Sequence, residues 1–442
     1  MMKRKFVMIL IACVWQAGYG VAQEAPNVFS NAISGGVTQQ AGGEQKFVNL
    51  FSGLPDLSIP LYNYKGKDGL SSGIVLRYNG GGIGVNELPG IAGLGWSLDC
   101  GGAVTRRLLG APDDMAVNGY MYAPQIPADF SANASKYYYD TIDAQQDVFS
   151  FSCNAGSGEF YIGKDGSIVQ KPETGLVIQY STDSNGSIER FTIKDQSGTR
   201  YVFSERETNT ISAPMLNAAM PTGNMGKSYT TAWLIKYIIS SFVKDTIHFY
   251  YSPHNTRFKL SYPESNFVNE QTHVSEYIQK PTANSNTNSK RLDSIVTPEN
   301  IRINFGYKYA YGGADCNKTK NQNVVVCGEY NPDSFTVITG IRIYDQQFIK
   351  GFDFTYEQGM RMSHNAQLLS QLTSYTDREA YMPYRFSYEP FYNLVLNDED
   401  TTLNYLTSNA TDYRGLYNGK KNKHQFVPVC DTCSGADRSF NF

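Results

Sequence analysis

Very little in this chain is spelled or spaced for catalysis. Gly69-Leu-Ser-Ser-Gly73 matches the G-x-S-x-G pattern, in which a serine becomes a nucleophile when a strand-to-helix elbow lifts it out of a sheet. A β-like run, Ile74–Tyr78, follows at once instead, so the segment reads as a hairpin loop. Gly80-Gly-Gly-Ile-Gly84 lacks the Lys-Ser/Thr and helix start of a phosphate cradle and reads as turn glycine. His248, His254, His273, His364 and His424 are scattered without metal-ligand spacing, and His248, between Ile247 and Phe249, reads as a solvent-face strand residue. Asp113-Asp114 and Asp398-Glu-Asp400 could supply oxygens to Ca²⁺ but do not fit the spaced EF-hand loop, so both read as solvated loop carboxylates. No catalytic, cofactor-binding or metal-binding residue is assigned.

Cysteine chemistry depends on the compartment, and the N-terminus speaks to that. Lys3-Arg-Lys5, an apolar run from Phe6 to Trp15 and the small residues ending Gly20-Val-Ala22 have the order of a secretory signal, residues 1–22. A competing reading takes Leu10-Ile-Ala-Cys13 as a lipoprotein box with Cys13 acylated, which would add a lipid anchor. No later segment reaches the length of a spanning helix, so the mature chain is expected to be exported: periplasmic, cell-surface or secreted. In an oxidising compartment Cys316 and Cys327 can close a loop. Cys430-Asp-Thr-Cys433 is a lone C-x-x-C, read as a local disulfide or free thiols rather than a zinc site. Cys100 and Cys153 complete the mature set, and spacing does not give connectivity.

The elements that would position any site are mostly strands. A net charge of −3 gives no electrostatic footprint for nucleic acid. With 32 Tyr and 24 Phe against 18% charged residues, composition favours a mostly β fold of antiparallel meanders and hairpins, in sandwich-like or extended sheet modules with little helix. Leu57, Ile59 and Leu61 alternate, Pro55 and Pro60 confine that strand to an edge or its ends, and the Lys65–Gly69 turn leads to a hairpin partner at Ile74–Tyr78. Short runs from Asp147 to Phe203, punctuated by Asp-Gly, Asn-Gly and Ser-Gly turns, read as one antiparallel meander.

Residues 208–228 are rich in Asn, Met, Pro and Gly and read as a linker or inserted loop between a 23–207 β domain and a 229–395 domain of repeated hairpins. Each repeat ends in apolar-x-Phe-x-Tyr: Ile247–Tyr251, Ile303–Tyr307, Phe352–Tyr356 and Tyr384–Tyr388. The leading halves are Trp233–Ser241, Arg291–Thr297, Val337–Tyr344 and Leu368–Tyr375, with a polar insertion at Glu264–Lys290. Residues 396–442 read as a polar, truncated tail.

The most distinctive stretch lies between the first hairpin and the meander. Tyr78-Asn79 runs into glycines, Gly93-Leu-Gly95-Trp96-Ser-Leu98 follows, and the Gly101-Gly102 pair precedes Ala103–Arg107, which includes Arg106. Glycine this dense around one Trp implies backbone packed against a large ring or turns at positive φ, with Trp96 buried. The order Leu57-Ser-Ile-Pro60, Leu76-Arg-Tyr-Asn79, Gly93–Leu98, Val104-Thr-Arg106 and Pro112-Asp-Asp114 resembles the N-terminal region of YD-repeat (Rhs-like) secreted proteins. A similar stretch occurs in shell components of insecticidal toxin complexes. The likeness covers roughly residues 50–115 and extends loosely through the hairpins to Asp412–Gly419.

That resemblance implies the β-rich N-terminal region of a longer protein whose YD repeats build a shell around, or present, a C-terminal effector. The repeat array and effector themselves are not in this sequence, so a fragment, or a short member acting with a downstream YD-repeat or effector chain, is expected. The chain is therefore expected to be a non-enzymatic structural module of a cell-surface or toxin-delivery protein. Its abundant aromatics and export signal also fit another class, an exported carbohydrate-binding or carbohydrate-processing β protein.

Overall fold

The computed structural model describes residues 56–79, 90–123, 143–212, 228–242, 244–261, 265–268, 275–278, 282–309, 336–358 and 367–388. All of them belong to one compact unit, Gly36–Phe442. The signal segment with Cys13, Gly80–Gly84, His273, His364, His424, Cys316, Cys327, Asp398–Asp400, Cys430, Cys433 and the 396–442 tail lie outside the described residues. Among those residues the secondary structure is all strand and turn, as composition implied, and every strand pairing is antiparallel.

β1 (Asp56–Lys65), β2 (Ser71–Asn79) and β3 (Trp96–Cys100) form a three-stranded sheet in that order. β1 is an edge strand, where Pro60 costs no ladder bond, and the register shifts just past it. Ser71 starts β2 directly after the Lys67–Leu70 turn, so the G-x-S-x-G spelling is a hairpin. β4 (Gly102–Arg107) follows β3 but joins a different, fifteen-stranded sheet. Gly101 and Gly102 make that corner at φ values of 79° and 115°. A Cβ on Gly101 would stand 2.5 Å from the Phe249 ring and 2.6 Å from Ile235, so glycine is required there twice over.

β5 (Val148–Cys153), β6 (Gly156–Ile162) and β7 (Ile168–Lys171) continue from β4. β8 (Val177–Thr182) and β9 (Ile188–Lys194) lead to β10 (Arg200–Ser212), which pairs with β11 (Ser228–Ile239). Gly166, Gly186 and Gly198 occupy the left-handed position of the three tight hairpin turns, the chemistry that Asp-Gly, Asn-Gly and Ser-Gly announce.

The single meander read from the sequence needs correction, because β7 does not pair with β8. Pro172, at the end of β7, has no N–H with which to extend its ladder, and two three-stranded runs result. The pairings run β8-β9-β10-β11-β4-β5-β6-β7. If flat, that order would separate β9 from β6 by about 24 Å, at roughly 4.8 Å per strand. Phe191 of β9 instead lies 5.5 Å from Phe149 of β5 and 5.4 Å from Phe160 of β6, so the sheet curls over an aromatic core.

β12 (Thr246–Ser261), the small hairpin β13 (Ser265–Val268) and β14 (Ser275–Ile278), and β15 (Thr282–Val296) come next. β15 pairs with β12 along its whole length, so much of the expected polar insertion is strand, held by ladder hydrogen bonds. β10 pairs with β15 at Thr208–Ser212 and with β11 at Thr210↔Ser228, so strands on both sides of the 208–228 stretch belong to one sheet. Residues 213–227 lie outside the described residues.

β16 (Arg302–Tyr309), β17 (Thr336–Asp345), β18 (Gln347–Gln358), β19 (Gln367–Tyr375) and β20 (Tyr384–Arg385) complete the hairpin series. Ile247 and Phe249, Ile303 and Phe305, and Phe352 and Phe354 are buried with one residue between them, as strand period requires. The fourth ending departs from this pattern: Tyr384 is 56% exposed on a two-residue edge strand, and only Phe386 packs on the core. His248 lies half-buried on the outer face, its ring 5.2 Å from Tyr237.

Candidate functional site

The signature residues converge on a junction between the three-stranded sheet and the last hairpins. Tyr78 and Trp96 face each other across β2 and β3, with ring centroids 5.0 Å apart, and Phe386 closes the other side of the indole at 4.6 Å. Trp96 Nε1 donates to Tyr388 Oη at 2.8 Å, and Tyr388 Oη donates to the Leu369 carbonyl at 2.7 Å. Trp96 is thus buried with its one polar atom satisfied, which a large indole in a core requires. Just before it, the Leu94 N–H donates to the Gln367 carbonyl at 2.9 Å and the Ile91 carbonyl accepts from the Ile338 N–H at 2.8 Å. Gly93 has a φ of 99°, and a Cβ there would approach the Gln367 carbonyl oxygen to 2.8 Å. Gly95 has a φ of 73°, and Asn79 ends β2, its backbone opposite Asp56.

The same small sheet meets the turn ends of the hairpins. Tyr64 Oη hydrogen-bonds Glu299 in the turn after β15. Burial, the Glu299 hydrogen bond and its charge push the Tyr64 hydroxyl well above the ordinary tyrosine range. Tyr62 is raised by burial and then by Asp345, which ends β17, and by Glu299. β1 therefore runs beside the tips of successive hairpins, while the residues preceding β3 hold the starts of β17 and β19.

Arg106 leads to a second, wholly internal constellation. Its guanidinium is fully buried 2.8 Å from Asp114 Oδ1 and 3.5 Å from Asp147 Oδ2, and it lies over the Phe149 and Trp233 rings at 5.2 and 5.1 Å. Asp147 accepts the Leu109 and Asp113 N–H groups, while Asp113 accepts the Asp147 N–H through both oxygens at 3.0 and 3.1 Å. Asp114 Oδ2 accepts the Ile188 N–H at 2.6 Å, and Trp233 Nε1 donates to the Ile188 carbonyl at 3.1 Å. Asp113 and Asp114 are 0% and 4% exposed, which overturns their reading as solvated loop acids. Their oxygens replace water with backbone N–H groups and one guanidinium, which makes burial tolerable.

Three carboxylates face one guanidinium in that cluster, and the charge does not balance. Burial, then the neighbouring Asp147 charge, pushes Asp113 up to about 8. Asp147 is raised to about 6 by burial, against the pull of Arg106 and two N–H donors. Among the described residues no group of three or more His, Cys, Asp or Glu is arranged to hold a metal ion. Cys100 and Cys153 are free thiols, and burial pushes each up to about 12, far from the thiolate form that reacts or binds metal.

The hairpins carry a repeated clamp that sequence reasoning missed. Tyr251 Oη donates to the Ile235 carbonyl, Tyr307 Oη to Leu292 and Tyr388 Oη to Leu369, each at 2.7 Å. In each case the Tyr that closes an apolar-x-Phe-x-Tyr ending reaches back to the carbonyl of a buried apolar residue in its leading strand. The available signal was the leading-strand pattern itself: Ile235 and Ile238, Leu292 and Ile295, Ile338 and Ile341, and Leu369 and Leu372 are all buried at a spacing of three, which plain alternation forbids. Register shifts past Lys236, Asp293, Thr339 and Ser370 reconcile them, a bulge at the equivalent place in each leading strand. Arg106, read only as a member of the signature, proves to be the buried cation, and Asp147 and Trp233 are the partners that local spacing did not reveal. No family model matches the chain, and no curated protein matches it at a significant level.

Proposed function

We propose that this chain is an exported, non-enzymatic structural module of a YD-repeat (Rhs-like) cell-surface or toxin-delivery protein. The observation that carries this reading is the use made of the signature: Trp96 sits between Tyr78 and Phe386 and is hydrogen-bonded to Tyr388, so the residues on which the resemblance rests act as internal struts. Repeated bulged hairpins with tyrosine clamps support it as well, because an architecture of this kind extends by adding like units. In this reading a chain carrying further repeats or an effector is the partner.

The test uses purified full-length protein and the producing cell. Cross-linking on intact cells should join the chain to a repeat-bearing or effector polypeptide identified by its own peptides, and the protein should be inert on glycan arrays and in glycoside-hydrolysis assays. Specific glycan binding, or turnover lost on one polar substitution, would instead establish the carbohydrate reading.

A further inference from the structure

Of the hairpin tyrosines, Tyr356 breaks the pattern. By its place in the repeat it should donate to the Ile338 carbonyl, as Tyr251, Tyr307 and Tyr388 do to Ile235, Leu292 and Leu369. Its hydroxyl is instead buried with no hydrogen-bond partner among the described residues. A buried hydroxyl left unpaired destabilises the arrangement that leaves it so.

The Gly90–Gly95 segment crosses at that same hairpin. The Ile91 carbonyl takes the Ile338 N–H, Leu94 bonds Gln367, and a Cβ on Gly93 would stand 3.2 Å from the Tyr356 ring. Tyr356 also pairs across strands with Leu369, next but one to Gln367, so segment, tyrosine and both leading strands meet at one place.

We propose that Gly90–Gly95 is a releasable strap and that the Tyr356 hydroxyl is its counter-latch. With the strap seated, two main-chain hydrogen bonds hold β17 and β19 and the third clamp stays open. With the strap lifted, those two bonds are lost and Tyr356 donates to the Ile338 carbonyl, matching its counterparts. The two closures compete for one hairpin, which makes this junction the two-state element of the fold. The inference does not depend on the chain's proposed role.

Amide hydrogen exchange at Ile338 and Leu94 in the full-length protein reads the strap directly. Tyr356→Phe removes the bond that rewards opening, so exchange at both amides should slow by about fivefold, the weight of one ordinary hydrogen bond. Tyr307→Phe loses a bond that is already made and should speed exchange within its own hairpin. If Tyr356→Phe left Ile338 and Leu94 unchanged, or sped them as Tyr307→Phe speeds its neighbours, the counter-latch would be refuted. Gly93→Ala strains the strap and should reverse the sign: in that background Tyr356→Phe should lower the melting temperature. Should Gly93→Ala fail to fold, the exchange comparison in the parent background still decides the matter.

Discussion

Trp233 and Trp96 are both buried and both donate an indole N–H, yet they hold different kinds of structure together. Trp233 lies inside the curled sheet, 4.9 Å from Phe191 and 6.0 Å from Phe149, beneath the Arg106 guanidinium. Its surroundings form one interlocked core whose polar groups come from Asp113, Asp114, Asp147 and the Ile188 backbone. Trp96 sits at a seam, with β2 on one side and the segment after β19 on the other. Disturbing Trp233 should loosen a whole core, whereas disturbing Trp96 should open the seam while the surfaces on either side keep their own packing.

The largest expected effect is on the core side. Arg106→Ala leaves Asp114 and Asp147 buried without their cation and should cost about 3–5 kcal/mol, measured by chemical denaturation. A loss below about 1 kcal/mol would mean that the guanidinium is not what holds these acids. Trp96→Ala should cost toward the lower end of the same range, since it deletes a buried ring. Its signature is local: exchange at Leu94 and Ile338 should accelerate well before the amides of β5 and β9 respond. Uniform acceleration across both regions would erase the distinction between seam and core. Tyr307→Phe, which deletes one clamp, should cost about 1 kcal/mol.

A further expected effect is a pH dependence confined to the core. Asp113 has a folded-state value of about 8, above its ordinary 3.8, so the folded protein holds a proton that the unfolded chain has released. That contribution is complete below the unfolded value and is lost as pH rises toward 8. Asp113→Asn should remove this alkaline loss, and melting temperatures of parent and variant between pH 5 and 9 measure it. Parallel profiles would show that the proton resides elsewhere.

How much of this was legible in the sequence follows from the range of each interaction. Leu57, Ile59 and Leu61 and the apolar-x-Phe pairs of the first three hairpin endings obey a two-residue period that local reading detects, and the turn glycines are announced by their Asp-Gly, Asn-Gly and Ser-Gly dipeptides. The burial of Trp96 was legible too, because glycine this dense fits backbone packed close to a large ring, although the positive φ of Gly93 and Gly95 was the other reason the sequence offered. The Asp113 cluster was not, since its partners Asp147 and Ile188 lie 34 and 74 residues away and acids in a loop are ordinarily solvated. The break between β7 and β8 turns on Pro172, whose effect on pairing depends on which neighbour the strand would have met. The bulges were visible only as an anomalous spacing, Ile235 to Ile238 and its counterparts, whose meaning emerges once the pairing is known.

The central claim, that the signature is a strut fastening the first sheet to the last hairpin, reduces to the bond between Trp96 Nε1 and Tyr388 Oη. A double-mutant cycle of Trp96→Phe and Tyr388→Phe isolates that bond, because each variant's other losses cancel in the cycle. A coupling of about 1 kcal/mol in unfolding free energy is the expected result, and additivity within about 0.3 kcal/mol would contradict it.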